Sequence, residues 1–93
     1  MVEEQLMIDT ARSLAESFSN DEVRVLVLKS LNIADAQIAA EIGRSRPTVA
    51  DMKNAVLARV RQELMIDIPS DNHELAMQHL LNFCNQLLEE ESG

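Results

Sequence analysis

Three features of the sequence predict an all-α chain of about five helices. Only two Gly and two Pro stand among 93 residues, so long stretches contain nothing that breaks a helix. Apolar residues recur at steps of three and four, the spacing of one helical face. Aromatic residues number two Phe, with no Trp or Tyr, so the core must be built from Leu, Ile, Val, Met and Ala. Apolar residues make up 46% of the chain and charged residues 26%, an ordinary globular balance in which disorder is not expected. The length fits one domain, 1–93.

The first helix is expected from about Glu3 to Phe18, with Met7, Ala11, Leu14, Ala15 and Phe18 at helical spacing. Ser19 followed by Glu22 has the form of a capping box. It opens a second helix, about Asp21 to Leu31, carrying Val23, Leu26, Val27 and Ser30 near one face. A short third helix runs from Asp35 to Ile42 and ends at Gly43, the residue that takes a left-handed conformation at least cost. Ser45 is placed to cap a fourth helix, with Pro47 in the first turn, where a missing N–H costs nothing. Its stripe of Val49, Met52, Val56, Val60 and Leu64 continues to about Met65. Ile68-Pro69-Ser70-Asp71 is a break, and Asp71 with Glu74 has the form of a second capping box. The last helix, about Asn72 to Glu90, carries two stripes, Ala76, Leu80, Phe83, Leu87 and Met77, Leu81, Cys84, Leu88. One stripe covers a single core; two imply a helix that is either central or part of a dimer interface. Glu89, Glu90 and Glu91 read as a solvated tail.

Several functions are excluded or disfavoured. Cys84 is the only cysteine, so no internal disulfide or Cys-rich metal site is expected, in keeping with a reducing compartment. Set in an apolar stripe, it reads as a small core residue. His73 and His79 do not share a helical face, so no metal ligand set is expected; His73 belongs at a helix start and His79 on a helix surface. The acidic first residues lack the pattern of a signal peptide, and no apolar run approaches the roughly 18 residues of a membrane span. A soluble, cytoplasmic protein without membrane contact is expected. No nucleophile–base pair, phosphate-cradling loop or carboxylate constellation is evident, so the expectation is a non-enzyme without cofactor. The scarcity of aromatics argues against binding single strands by base stacking.

The net charge is −8, which by itself argues against a nucleic-acid partner. Its distribution does not. Residues 1–35 carry −4 and residues 62–93 carry −7, whereas residues 36–61 carry +3 from Arg44, Arg46, Lys53, Arg59 and Arg61 against Glu41 and Asp51. Five of the eight basic residues therefore fall in one segment.

That segment meets the demands of a helix-turn-helix. Ala39 is small where a second helix must cross closely, and Ile38 and Ile42 face a core. Gly43 suits the tight turn, and Ser45 caps a helix that buries Val49 and Met52. The segment resembles the helix-turn-helix of bacterial and phage regulators. With the flanking Glu22-Val-Arg-Val-Leu it is similar to the output domain of the LuxR/GerE family and to the fourth region of sigma factors. The likeness spans roughly Ser19 to Leu64, with the core motif at about 19–65 and the end helices at 3–18 and 72–90. It departs from the pattern at Arg44, where the turn residue is usually apolar, and at Asp51, which would repel phosphate unless it reads a cytosine amine or pairs with a neighbouring base.

The resemblance implies that the helix after Gly43 enters the major groove of double-stranded DNA. The implied contacts are Arg44, Arg46, Thr48, Ala50, Asp51, Lys53 and Asn54. Read on their own, Arg46, Ala50, Lys53, Asn54 and Leu57 lie off the apolar stripe. Arg suits guanine and Asn suits adenine. Ser45 at the helix N-terminus favours a phosphate, and Arg59 and Arg61 reach the backbone or pair with acids such as Glu63. The expected function is a sequence-specific DNA-binding transcriptional regulator. It would act as a homodimer through Leu80, Leu81, Phe83, Cys84, Leu87 and Leu88 of the last helix, with the first helix in support. The alternative is an acidic protein-binding module on the same fold, such as a phage-type inhibitor, an antirepressor or an anti-sigma-like factor. Its acidic ends would meet a basic surface of RNA polymerase or another regulatory protein.

Overall fold

The structure, a computed structural model, describes residues 2–92, with side chains described for residues 4–91. Met1 and Gly93 of the expected 1–93 domain lie outside the described residues. Five α-helices follow in order: α1 Val2–Ser17, α2 Asn20–Ser30, α3 Asp35–Ile42, α4 Arg46–Val60 and α5 His73–Ser92. A π-helical turn, Arg61–Met65, prolongs α4, and a 3₁₀ turn, Ser70–Asn72, leads into α5. No strand is present among the described residues.

The helix ends follow local chemistry. Ser19 Oγ accepts the Glu22 N–H at 3.2 Å, and Glu22 Oε1 accepts the Ser19 N–H at 2.8 Å, so the capping box closes both ways. At the other end of α2, Asn32 takes φ +62°. Its N–H reaches Lys29 O, the Ile33 N–H reaches Leu28 O, and Leu28 and Ile33 pack in the same apolar cluster. This is a Schellman ending with Asn in the usual glycine place. The sequence reading passed over it. α3 ends at Gly43, φ +69°, where the Gly43 and Arg44 N–H groups both reach Ala39 O. Ser45 Oγ accepts the Thr48 N–H at 3.3 Å, with Pro47 in the first turn of α4. The expected second capping box does not form. Asp71 lies inside the 3₁₀ turn, which has no side-chain cap. The break is closed instead by His73, the first residue of α5, whose Nε2 donates to Ile68 O at 2.8 Å.

Two apolar clusters form. The larger joins α1, α2, the C-terminal half of α4 and α5 through residues such as Leu14, Leu26, Val56, Val60, Leu64 and Leu80. The smaller joins α2, α3 and the first half of α4 through Val25, Ile38, Ala39 and Val49, with Leu28, Ile33, Ile42 and Met52 packed against it. α2 serves both. Val23, Leu26 and Val27 face the larger cluster while Val25 faces the smaller, so α2 is a wall buried on two sides. The expectation of one buried face, with Ser30 near it, is corrected here. Val25 is fully buried, and Ser30 is exposed with its hydroxyl donating to Val27 O. Val56, Val60 and Leu64 of α4 repeat every four residues, ahead of the α-helical period of about 3.6. The wider π turn takes up that drift and keeps Leu64 in the core.

The double stripe of α5 is accounted for within one protomer. α5 packs on α1 along one side and on α2 along the other. Leu80 and Cys84 are fully enclosed, and Leu81, Phe83, Leu87 and Leu88 are half-buried against the same core. Arg12 lies 5.1 Å from the Phe83 ring centre, and Glu16 and Phe18 share a cleft with Leu87 and Leu88. α1 and α5 therefore run side by side in the same direction. Burial pushes the Cys84 thiol up to about 11, which makes it a poor nucleophile at neutral pH. His79 is half-buried with its Nε2 enclosed, which corrects its placement on the surface. Glu91, read as part of a solvated tail, pairs with Arg24 of α2 at 3.3 Å.

A Cβ added at Gly43 would meet nothing within 4 Å. The cost of Gly43→Ala is thus the left-handed backbone alone, about 1 kcal/mol, or a fall in Tm of about 4–8 °C. Gly43→Asn should lose less. Ile38→Ala empties the smaller cluster and should cost about 3 kcal/mol. Thermal unfolding followed by circular dichroism checks the order Ile38→Ala, Gly43→Ala, Gly43→Asn.

Candidate nucleic-acid interface

α3, the left-handed turn at Gly43 and α4 pack around a small core of their own. Ile38, Ala39 and Val49 hold the two helices together, and Val25 of α2 closes the cluster behind them. Ala39 is 6% exposed where the helices meet, a place where a larger side chain would push them apart. This packing holds α4 with its opposite side to solvent.

The sequence-predicted contacts fall into two groups. Arg46, Asp51, Asn54 and Arg61 are exposed, and Ala50 is half-buried beside them. Arg46 and Arg61 make no hydrogen bond or ion pair among the described residues. Arg46, Ala50 and Asn54 follow at steps of four along one flank of α4, so an arginine, a methyl group and an amide stand in line. Ser45 and Thr48 lie at the helix start, their hydroxyl oxygens 2.9 Å apart, with Ser45 Oγ already engaged by the Thr48 N–H.

The second group, Arg44, Lys53 and Arg59, is tied to acids of the same chain. Arg44, in the turn, donates from Nε to Asp21 Oδ2 at 3.1 Å, and its Nη2 lies 3.0 Å from the same oxygen. The turn thus carries a guanidinium clamped to the start of α2. Lys53 Nζ lies 3.8 Å from Asp35 Oδ2, while Lys29 Nζ lies 2.8 Å from Asp35 Oδ1. One carboxylate at the start of α3 therefore faces ammonium groups from α2 and α4 together. Its ion pair with Lys29, with smaller attractions to Lys53 and Arg46, holds the Asp35 carboxyl below its ordinary value against the opposing effect of burial. Arg59 turns away from the motif. It donates to Glu63 Oε2 at 2.7 Å and to Ser17 Oγ at 2.7 Å, and its guanidinium lies 4.9 Å from the Phe18 ring centre. The hydrogen bond to Glu63 and the attraction of that carboxylate raise the Arg59 pKa and lower that of Glu63. Arg59 is a tether from α4 to the end of α1, of the two roles read from sequence the ion-pairing one. Leu57, expected to face outward, packs half-buried against the larger cluster.

The sequence reading missed Asp21, Lys29 and Asp35. Asp21 and Asp35 sit in the first turns of α2 and α3, where acids suit the helix dipole, and that position was the only signal available. Their basic partners lie 23 residues away for Arg44 and 18 for Lys53, a distance that no helical periodicity connects. Among the described residues no group of three His, Cys, Asp or Glu could hold a metal ion, and no helix is long and apolar enough to cross a membrane. Comparison with known proteins finds no matching family model, curated protein or solved structure.

Because the Asp35 carboxyl is held low in the folded protein, its ion pairs stabilise the fold fully above its unfolded value near 3.8. That contribution is lost as pH falls through the lower folded value. Asp35→Asn should therefore melt below the wild type at neutral pH, and the gap should close as pH drops below about 4. Melting curves of both proteins across that range check this. Arg59→Ala should lower Tm by a few degrees through loss of the Glu63, Ser17 and Phe18 contacts, whereas Arg61→Ala should leave it unchanged; parallel circular-dichroism melts separate the two.

Proposed function

We propose that the chain is a sequence-specific DNA-binding regulator that presents α4 to the major groove and acts as a homodimer. The observation that carries this reading is the exposed flank Arg46–Ala50–Asn54, held on a helix whose other side is locked by the small core around Val49. Arg46 suits guanine, Asn54 suits adenine, and Ala50 leaves room for a thymine methyl. Arg61 and the exposed side of Arg44 supply phosphate contacts near either end of α4. So few uncommitted cations give one protomer a weak hold on phosphate, since each contact adds only one released counterion. A dimer on a near-palindrome doubles them. Acidic residues elsewhere lower non-specific affinity and leave the base contacts to decide.

A second reading is favoured by the internal neutralisation of Arg44, Lys53 and Arg59 together with the −7 of residues 62–93. Here the fold is an acidic module that binds a basic protein surface, of RNA polymerase or another regulator, and the helix–turn–helix unit is scaffold.

The deciding experiment selects random duplexes on the folded protein at physiological salt, beside an Arg46→Ala/Lys53→Ala variant. The expected result is a near-palindromic site with half-sites roughly 34 Å apart, not enriched by the variant. On that site Arg46→Ala should weaken binding by about 1–3 kcal/mol, roughly 5- to 150-fold. Arg61→Ala should lower the slope of log affinity against log salt by about 1. No enrichment by a protein that is folded by circular dichroism and dimeric by sedimentation would overturn the proposal in favour of the acidic module.

A further inference from the structure

Between α2, α4 and α5 lies a cleft of about 300 Å³ that opens to solvent. Val25, Leu26, Val56, Leu57, Met77 and Leu81 make its apolar walls. The remaining lining groups are Ser30, Lys29 and Lys53. No acid lines it, although the chain has 16 Asp and Glu against 8 Lys and Arg. Ser30 donates its proton to Val27 O at 2.6 Å. Lys29 Nζ donates to Ile33 O at 3.4 Å. The ammonium groups of Lys29 and Lys53 share one carboxylate, that of Asp35, at 2.8 and 3.8 Å. Each ammonium has three donors, so the longer contact leaves Lys53 largely uncommitted. The cleft is thus an apolar slot with a surplus of positive charge at its mouth.

We propose that this cleft binds a small amphipathic anion, a medium-chain carboxylate whose tail fills the slot and whose head pairs with Lys53, the lysine held less closely by Asp35. At about 300 Å³ the cleft falls at the small end of ligand pockets, which suits a short apolar tail. Met77, flexible and polarisable, lets the wall adapt to the tail. A macromolecular occupant fits less well, because the polar groups converge at one point and do not line an extended track. The site stands without the DNA reading. Only its consequence rests on that reading: a bound carboxylate draws on Lys53, a residue of the helix proposed to enter the groove.

The test uses decanoate below its micelle concentration, with decanol as the neutral control, read by methyl NMR of the full chain without DNA. Decanoate should shift the methyl signals of Val56, Met77 and Leu81 saturably, and bind about tenfold tighter than decanol or better, as a charge-assisted contact implies. Lys29→Gln/Lys53→Gln should remove the preference for decanoate while leaving decanol binding in place. That comparison in the wild-type protein needs no variant to fold. Equal affinity for the two probes, no saturable shift, or shifts centred on the exposed Leu6, Leu31 and Ile66 would each overturn the proposal. Because no DNA is present, such a failure leaves the duplex-selection result untouched.

Discussion

The double burial of α2 is the constraint on which the rest of the structure depends. Eleven residues cannot bury two opposite faces against water and remain amphipathic, and α2 accordingly has Val23, Val25, Leu26 and Val27 all enclosed. Its one side belongs to the long-helix core with α1 and α5, and its other side to the small core of α3 and α4. A chain of this size buries a limited share of its surface, so sharing one wall between two clusters gives each a closed interior. It also fixes where α3 and α4 sit, since Val25 is the residue on which Ile38 and Val49 close.

The charges reinforce that arrangement. Asp21 on α2 holds the turn through Arg44, Lys29 on α2 holds the start of α3 through Asp35, and Arg24 on α2 holds the end of α5 through Glu91. Every one of these pairs is partly exposed, and pairs of that kind contribute little stability singly. Their effect is positional. They tie the turn, the start of α3 and the end of α5 to this one helix, and they decide which cations remain outward. Both aromatic rings are covered in the same manner, Phe83 by Arg12 and Phe18 by Arg59, so two more of the eight basic residues are drawn into packing.

What faces solvent from α4 is therefore a narrow set. Arg46, Asp51 and Asn54, with Arg61 of the π turn, are outward, while the neighbouring cations answer acids within the chain. A basic segment in an acidic protein gives a strong field only where its own acids leave it uncompensated. The cleft behind α4 is another such place, because Asp35 is divided between two lysines. Lys53 belongs to the cleft and to the Asp35 pair, not to the outward flank.

Helix beginnings and endings were legible in the sequence because the chemistry that sets them is local. Ser19 with Glu22, Gly43, and Ser45 with Pro47 each act within four residues of the end they make. The stripes of α1 and α4, and the five-helix order, follow from the same short-range periodicity. Asp71 and Glu74 show where local reasoning fails: the residues of a capping box are present, yet Pro69 and the 3₁₀ turn give the backbone a different path and His73 closes the break. Tertiary structure alone decided the remainder. It packed both stripes of α5 against the larger core, brought Asp21 and Asp35 to their distant basic partners, and turned Arg59 toward Phe18. Those outcomes depend on which faces meet across the fold. A sequence specifies the faces of each helix by its period, but the choice of partner is made by packing, after the helices exist.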